Sequence, residues 1–191
     1  MKQLVILLSV LALASGGCGR SSDEKPLGKP VKIAACDLVT ADEVAAIQGT
    51  TISGTNKSEG AIGSLLATQC YYTSNEPNKS VTVAVIQQQA GQADDPARFW
   101  RETFTESGEE KESSKDKKGN REEEEKKRTP PRKITGIGDE AYWAATAIGG
   151  TFYVLKKDKH VFLRISVGGP DPIETKLEKS EKIAESALKR L

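Results

Sequence analysis

Histidine and aromatic residues are scarce in this sequence of 191 residues. His160 is the only histidine, and phenylalanine, tryptophan and tyrosine together make up 5% of the chain. A metal site needs several converging ligands, so a site built on imidazoles is excluded. The sequence also has neither a phosphate-binding G-x-G-x-x-G or Walker pattern nor the G-x-S-x-G of a nucleophile elbow. We therefore expect no bound metal or nucleotide cofactor.

The sequence has no excess of either charge and no long hydrophobic run. Lys and Arg number 28 and Asp and Glu 27, so there is no basic footprint for nucleic acid and no field to steer an acidic substrate. The apolar run Leu4–Leu13 follows Lys2 and is interrupted only by Ser9. It is too short to cross a bilayer core, which takes ~20 residues. It has the form of an export signal, and we assign residues 1–17 to a signal peptide.

Two cleavage sites follow the apolar run. Ala12-Leu13-Ala14 is a small-x-small site for the ordinary signal peptidase, and cleavage there leaves Cys18 as a free thiol. Alternatively, Ser15-Gly16-Gly17-Cys18 resembles a bacterial lipobox through its glycines, with serine where leucine is usual. In that case Cys18 becomes the first residue and its sulfur carries a diacylglyceryl group. We favour lipidation of Cys18.

The number of cysteines agrees with this choice. The chain has three, Cys18, Cys36 and Cys70, and exported proteins meet an oxidising compartment where thiols pair. An odd number leaves one cysteine over. If Cys18 is lipidated, Cys36 and Cys70 form the natural disulfide. Their separation is not the C-x-x-C of a redox motif, so we expect a structural bond.

Composition divides the mature chain into a tether, a body and an insertion. Residues 18–33 are mostly Ser, Gly, Pro and charged residues, which cannot bury enough apolar area to order themselves. A single folded body is predicted over residues 34–191. Residues 106–133 interrupt it with nine acidic and ten basic side chains and no aliphatic or aromatic one. This pattern predicts a solvated, disordered insertion, and docking of a partner on it is the alternative.

The order of elements predicts an α+β fold, with an antiparallel β-sheet and helices packed on one face. Thr40 and Glu43 form a capping box and Gly49 ends that helix. Two more helices are predicted to begin at Asp95-Pro96 and Asp171-Pro172, with each aspartate as the N-cap and Glu174 as the capping-box partner of Asp171. Strands are predicted at Thr51–Thr55, Cys70–Thr73, Val81–Ile86, Tyr142–Ile148, Thr151–Lys156 and His160–Val167, the last three forming a meander in which Gly149-Gly150 is a hairpin turn.

Two places in the sequence have the residue types of an active site. His160 alternates with the apolar positions of its strand, so we expect it on the surface. Asp139 and Glu140 are adjacent in the stretch GIGDEAYW, so on a strand they point to opposite faces and make a poor acid/base pair. Gly136 and Gly138 suit a tight turn before that strand. We expect no catalytic residue at either place.

The motifs CDLVTADEVAAIQG, CYYTS, GIGDEAYW and FLRISVGG, followed by a final Ala/Leu helix, occur in an order that is similar to a family of bacterial lipoproteins. Members of that family are of unknown function and typically begin Cys-Asp-Leu-Leu-Thr. The resemblance covers about residues 34–191 without the charged insertion. It implies a lipid-anchored envelope domain with an antiparallel sheet similar to PsbP-like domains, and no catalytic residues.

The sequence thus predicts a non-enzymatic binding domain held to the bacterial membrane by lipid on Cys18. In a host with two membranes the resemblance implies the outer membrane, because glycine rather than aspartate follows the cysteine. An envelope protein, a polymer or a small hydrophobic ligand is the expected partner. The alternative is an envelope hydrolase, for which a deep pocket should join His160 and Asp139 to a nucleophile. A shallow sheet face with Tyr153 and Phe162 exposed would favour binding.

Overall fold

The computed structural model describes residues 31–76, 78–90, 92, 94–104 and 130–191. The predicted signal peptide 1–17, Cys18, the tether as far as residue 30 and the charged residues 105–129 lie outside the described residues. Short 3-10 turns cover Ala35–Asp37 and Lys157–Lys159. The strands are β1 (Ile52–Ile62), β2 (Leu65–Ser74), β3 (Val81–Gln88), β4 (Arg132–Ile134), β5 (Glu140–Thr146), β6 (Gly149–Lys156) and β7 (Val161–Val167), and the helices are α1 (Ala41–Gln48), α2 (Pro96–Phe104) and α3 (Ile173–Leu188).

These strands form one antiparallel sheet in the order β1-β2-β3-β7-β6-β5-β4. The predicted class, α+β with an antiparallel sheet, is confirmed, and so is the meander β5–β6–β7. Strand β3 pairs with β7 and so joins the N-terminal strands to the meander. The two edges of the sheet are the long β1 and the short β4.

Helix α1 begins and ends where the sequence predicts. The Thr40 hydroxyl accepts from the Glu43 N–H at 3.2 Å, and Glu43 accepts from the Thr40 N–H at 2.8 Å. Gly49 ends the helix with a left-handed φ of 71°. Arg190 donates to Glu43 at 2.8 Å, and this bond together with the capping bond lowers the pKa of Glu43 to about 2. The charged pair ties α1 to the residues that follow α3.

One face of the sheet carries the main core, beneath α1 and α3. Strand alternation predicts that four side chains of β7 face the core, and all four are buried, namely Val161, Leu163, Ile165 and Val167. Tyr72 of β2 is also buried, and its hydroxyl donates to the Val39 carbonyl at 2.6 Å. Burial raises the pKa of Tyr72 to about 12. This bond joins β2 to the chain just before α1.

The opposite face of the sheet is partly covered by α2. Trp100 of this helix is 1% exposed and lies against Phe104, Tyr142 and Phe162, with ring centroids 4.7 to 5.8 Å apart. Phe162, which strand alternation places away from the main core, is also 1% exposed because α2 covers it. Helices therefore lie on both faces, α1 and α3 on one face as expected and α2 on the other.

The hairpin of β1 and β2 is much longer than the sequence predicts. The predicted strands covered only Thr51–Thr55 and Cys70–Thr73. Gly63, with a φ of 59°, and Ser64 form a two-residue turn between Ile62 and Leu65, which pair with each other. Strand β1 is polar because it lies at the edge with its side chains exposed, so no alternation of apolar residues marks it.

The turn between β5 and β6 lies earlier than the predicted Gly149-Gly150 turn. Thr146 pairs with Gly149, so Ala147–Ile148 occupy the turn. Gly150 lies within β6, where a Cβ atom would clash with the indole ring of Trp143. At Gly150 the glycine is required by close packing and not by turn conformation.

Asp171 does not cap the last helix, so that prediction is wrong. Pro172 occupies the N-cap position of α3 without a side-chain bond. Asp171 accepts from the Lys179 ammonium at 2.6 Å, which lowers the pKa of Asp171. Glu174, the predicted capping partner, accepts from Arg132 at 2.8 Å instead. Both carboxylates bind cationic donors, which form stronger hydrogen bonds than backbone amides.

Both predicted limits of ordered structure shift by a few residues. Ile33, assigned to the tether, donates its N–H to Gln87 at 2.9 Å and accepts from the Gln87 amide at 2.8 Å. At the end of the charged insertion, Arg132–Ile134 form β4 and pair with β5. The folded body therefore includes Ile33 and the last two residues assigned to the insertion.

Candidate functional site

The structure joins Cys36 and Cys70 in a disulfide, with Cα atoms 4.9 Å apart. Cys36 lies in the 3-10 turn before α1, and Cys70 lies in the middle of β2 with no exposed surface. The bond fastens the start of the folded body to the sheet. Because Cys70 is completely buried, its position is that of a structural crosslink. Cys18 lies outside the described residues.

His160 lies on the surface, in the turn that precedes β7. Its φ is 52°, and about half of its side chain is exposed. In the described part of the chain its ring faces a carboxylate, with Nδ1 3.9 Å from Oδ1 of Asp95. A hydrolytic histidine instead needs a serine or cysteine nucleophile within hydrogen-bond reach. The placement of His160 gives the hydrolase alternative no support.

Asp139 and Glu140 both bind Lys157 and stabilise the turn between β6 and β7. Asp139 accepts from the Lys157 backbone N–H at 2.6 Å. Glu140 lies 2.7 Å from the Lys157 ammonium and accepts from the Trp100 indole at 3.1 Å. The bond with Lys157 lowers the pKa of Glu140, whereas a general acid needs a raised one. These two carboxylates therefore have a structural role, which is to stabilise the turn between β6 and β7.

Two further features are absent from the described ranges, a metal-binding cluster and a membrane-spanning helix. No group of three or more His, Cys, Asp or Glu side chains there is placed to share a metal ion. No helix in these ranges is long and apolar enough to cross a bilayer.

A shallow depression of 440 Å³ lies on the second sheet face, in the part that α2 leaves uncovered. We call it the sheet depression. Tyr71 pairs with Thr82, and Thr82 with Ser166, across three neighbouring strands. Charged residues make up 29% of the chain, yet none of the residues lining the sheet depression is charged. Its lining side chains include Tyr71, Ser80, Thr82, Thr146, Ile148 and Ser166.

The sheet depression also collects exposed apolar surface. Within the described ranges three large apolar side chains are exposed, namely Val31 at 82%, Tyr71 at 40% and Ile148 at 88%. Two of the three, Tyr71 and Ile148, line the sheet depression. Apolar groups beside a row of hydroxyls give this surface both of the contact types that a binding site uses.

The turn that forms one rim of the sheet depression is held in position by a side chain from α3. Ile148 lies in the turn between β5 and β6, and its carbonyl accepts from the Lys176 ammonium of α3 at 2.8 Å. Lys176 is itself only 5% exposed. A buried cation that binds the carbonyl of an exposed isoleucine fixes the position of the turn, so the apolar side chain is presented at a defined place on the rim.

Sequence reasoning does not find the sheet depression, because its residues come from β2, β3, β7 and the turn between β5 and β6. One signal in the sequence, a pair of adjacent tyrosines, does indicate the sheet depression. Tyr71 and Tyr72 are adjacent in a strand, so their rings must lie on opposite faces. Tyr72 is buried in the main core and Tyr71 is exposed on the other face. Exposure of Tyr153 and Phe162 would have favoured binding, but Tyr153 is half-buried, with its ring centroid 5.0 Å from that of Phe104, and Phe162 is 1% exposed. That criterion is therefore not met.

Comparison of the chain with models of protein families, with characterised proteins and with solved structures finds no match. The resemblance to envelope lipoproteins therefore stays a prediction.

Proposed function

We propose that this chain is an exported, lipid-anchored domain of the bacterial envelope that binds a neutral carbohydrate on the sheet depression. The observation that carries the proposal is the composition of that surface. It brings together hydroxyl groups and two of the three exposed large apolar side chains, and no charge lines it.

The chemistry of the lining fits a sugar better than other ligands. Serine, threonine and tyrosine hydroxyls both donate and accept hydrogen bonds, as sugar hydroxyls do. The Tyr71 ring and the Ile148 side chain offer apolar surface to the C–H faces of a sugar ring. A charged ligand would lose hydration without gaining an ion pair from the lining. The surface is open, so a polymer can run across it.

The other ligands and the enzyme alternative have weaker support. A small hydrophobic ligand needs an enclosed, mainly apolar pocket, whereas the sheet depression is shallow and rich in hydroxyls. A hydrolase would need His160 or Asp139 beside a nucleophile, and neither residue lines the sheet depression. We therefore propose binding, without chemical conversion, as the function of this domain.

The anchor is proposed from Cys18, from the short apolar run before it and from the odd number of cysteines. Mass spectrometry of the mature N-terminus should find Cys18 as the first residue with a diacylglyceryl group. Replacing Cys18 with serine should release the domain from the membrane or leave it unprocessed. A mature chain that begins at Ser15 with an unmodified Cys18 would refute the anchor and leave the binding proposal standing.

The binding proposal predicts losses on alanine substitution at the sheet depression. An array of neutral and charged oligosaccharides identifies a neutral ligand, whose affinity is then measured by titration calorimetry. Tyr71→Ala and Ile148→Ala should each weaken binding about five- to tenfold, because each removes an apolar contact with the ring.

Val31→Ala is the matched control for Ile148→Ala. Val31 is nearly as exposed as Ile148 but does not line the sheet depression, so its loss should leave affinity unchanged. Binding of charged saccharides only, or equal effects of the two substitutions, would contradict the proposal. Circular dichroism at 25 °C checks that the variants are folded.

A further inference from the structure

Strand β1 leaves one side of its backbone unpaired within the described residues. It is an edge strand of eleven residues, from Ile52 to Ile62, and it pairs only with β2. Its side chains are exposed over almost its whole length, and it contains no proline. An edge of this kind is a template for one more strand. The other edge, β4, has only three residues.

The turn fixes which residues of β1 offer their backbone groups to that extra strand. In a two-residue hairpin the residues flanking the turn, Ile62 and Leu65, form a hydrogen-bonded pair. Such pairs alternate with non-bonded ones along an antiparallel ladder. The N–H and C=O groups of Ser58 and Gly60 therefore point to β2, and those of Lys57 and Glu59 point outward.

The charged side chains of β1 then favour one register for pairing with the extra strand. We propose that the β1 strands of two copies of this chain pair antiparallel about a two-fold axis at Ser58, giving a continuous sheet through both molecules. In this register Lys57 lies opposite Glu59 of the second copy, and Glu59 lies opposite Lys57 of the second copy. Both positions are outward-bonding, so the same register satisfies the backbone and the charges.

The neighbouring registers are opposed by charge. Shifting the axis to Lys57 places two lysines opposite each other, and shifting it to Glu59 does the same with two glutamates. Within one copy Lys57 is 3.9 Å from Asp37, and Glu59 is paired with Lys32, but all four side chains remain about half exposed or more. Exposed pairs of this kind are weak, so they do not prevent Lys57 and Glu59 from meeting a second copy.

Cysteine crosslinking of the full chain in membranes of a bacterial expression host tests this arrangement. In the proposed register two Ser58 residues form a non-bonded pair with Cα atoms about 4.5 Å apart, within reach of a disulfide. Two Asn56 residues are separated by roughly 13 Å, beyond that reach. Ser58→Cys should give at least tenfold more covalent dimer than the matched control Asn56→Cys on non-reducing gels, with the unsubstituted chain as the background.

Charge exchange tests the register independently. Lys57→Glu and Glu59→Lys should each lower the dimer yield of the Ser58→Cys chain about tenfold, and the two changes together should restore it. Equal crosslinking of Ser58→Cys and Asn56→Cys would indicate random collision and overturn the proposal. A chain that stays monomeric would also overturn it and leave the edge open to a peptide strand from another protein.

Discussion

Replacing Trp100 with alanine is expected to lower the free energy of unfolding by about 3–5 kcal/mol. Trp100 is 1% exposed and is the part of α2 that joins Phe104, Phe162 and Tyr142 in one cluster. The helix has nine residues and is too short to be stable alone, since isolated helices need about 12–15. Its attachment to the sheet therefore depends on packing, to which Trp100 contributes together with Phe99, stacked on Phe162, and Phe104, stacked on Tyr142.

Urea denaturation followed by circular dichroism and by the fluorescence of the remaining Trp143 measures the loss. The matched control is Trp100→Phe, which keeps a ring in the cluster but loses the indole bond to Glu140. It should cost about 1–2 kcal/mol, clearly less than alanine. If both variants unfold at the same urea concentration as the parent, the Trp100 ring does not contribute to the stability of the sheet.

Removing the disulfide is the second change with a large expected effect. Cys36 and Cys70 are separated by 34 positions, and the loop-entropy relation gives about 4 kcal/mol for a crosslink of that length. The double variant Cys36→Ala, Cys70→Ala should lose up to this amount. Alanine is chosen because a serine hydroxyl at the fully buried Cys70 would add the cost of an unpaired polar group.

Thermal and urea unfolding of the double variant, compared with Cys18→Ala, provide the measurement. Cys18→Ala removes the third cysteine together with its proposed lipid and leaves the bonded pair intact, so the stability of the folded body should not change. Reduction of the parent chain should reproduce the loss seen in the double variant. A double variant as stable as its parent would show that burial, and not the crosslink, holds the 3-10 turn against β2.

Helix caps and strand alternation are local signals, and they predicted the elements whose determining residues lie close together in the sequence. Thr40, Glu43 and Gly49 define α1 correctly because caps and a left-handed end residue act over one or two turns. The alternation of Val161, Leu163, Ile165 and Val167 was enough to place β7 in the core. The same kind of local signal misassigned Asp171, whose carboxylate binds the ammonium of Lys179, eight residues further along.

The β1–β2 hairpin, the burial of Phe162 and the sheet depression could not be predicted from local signals. Strand β1 has no apolar alternation, because both its faces are exposed at an edge. Phe162 is buried because α2 packs over it on the second sheet face. Where α2 docks depends on residues that are distant from Phe162 in the sequence. Gly150 suggests a turn, yet its lack of a side chain makes room for the ring of Trp143.

The sequence by itself determined the α+β class, the cysteine pair, the first helix and the strands of the meander. Each of these depends on residue spacing, on caps or on the number of cysteines, which are properties of the chain before it folds. Only the tertiary structure decided that α2 covers one part of the second sheet face and leaves Tyr71, Thr82 and Ser166 open on another. The physical reason is that such a surface arises from strands brought together by pairing, and which residues stay exposed depends on what packs over them.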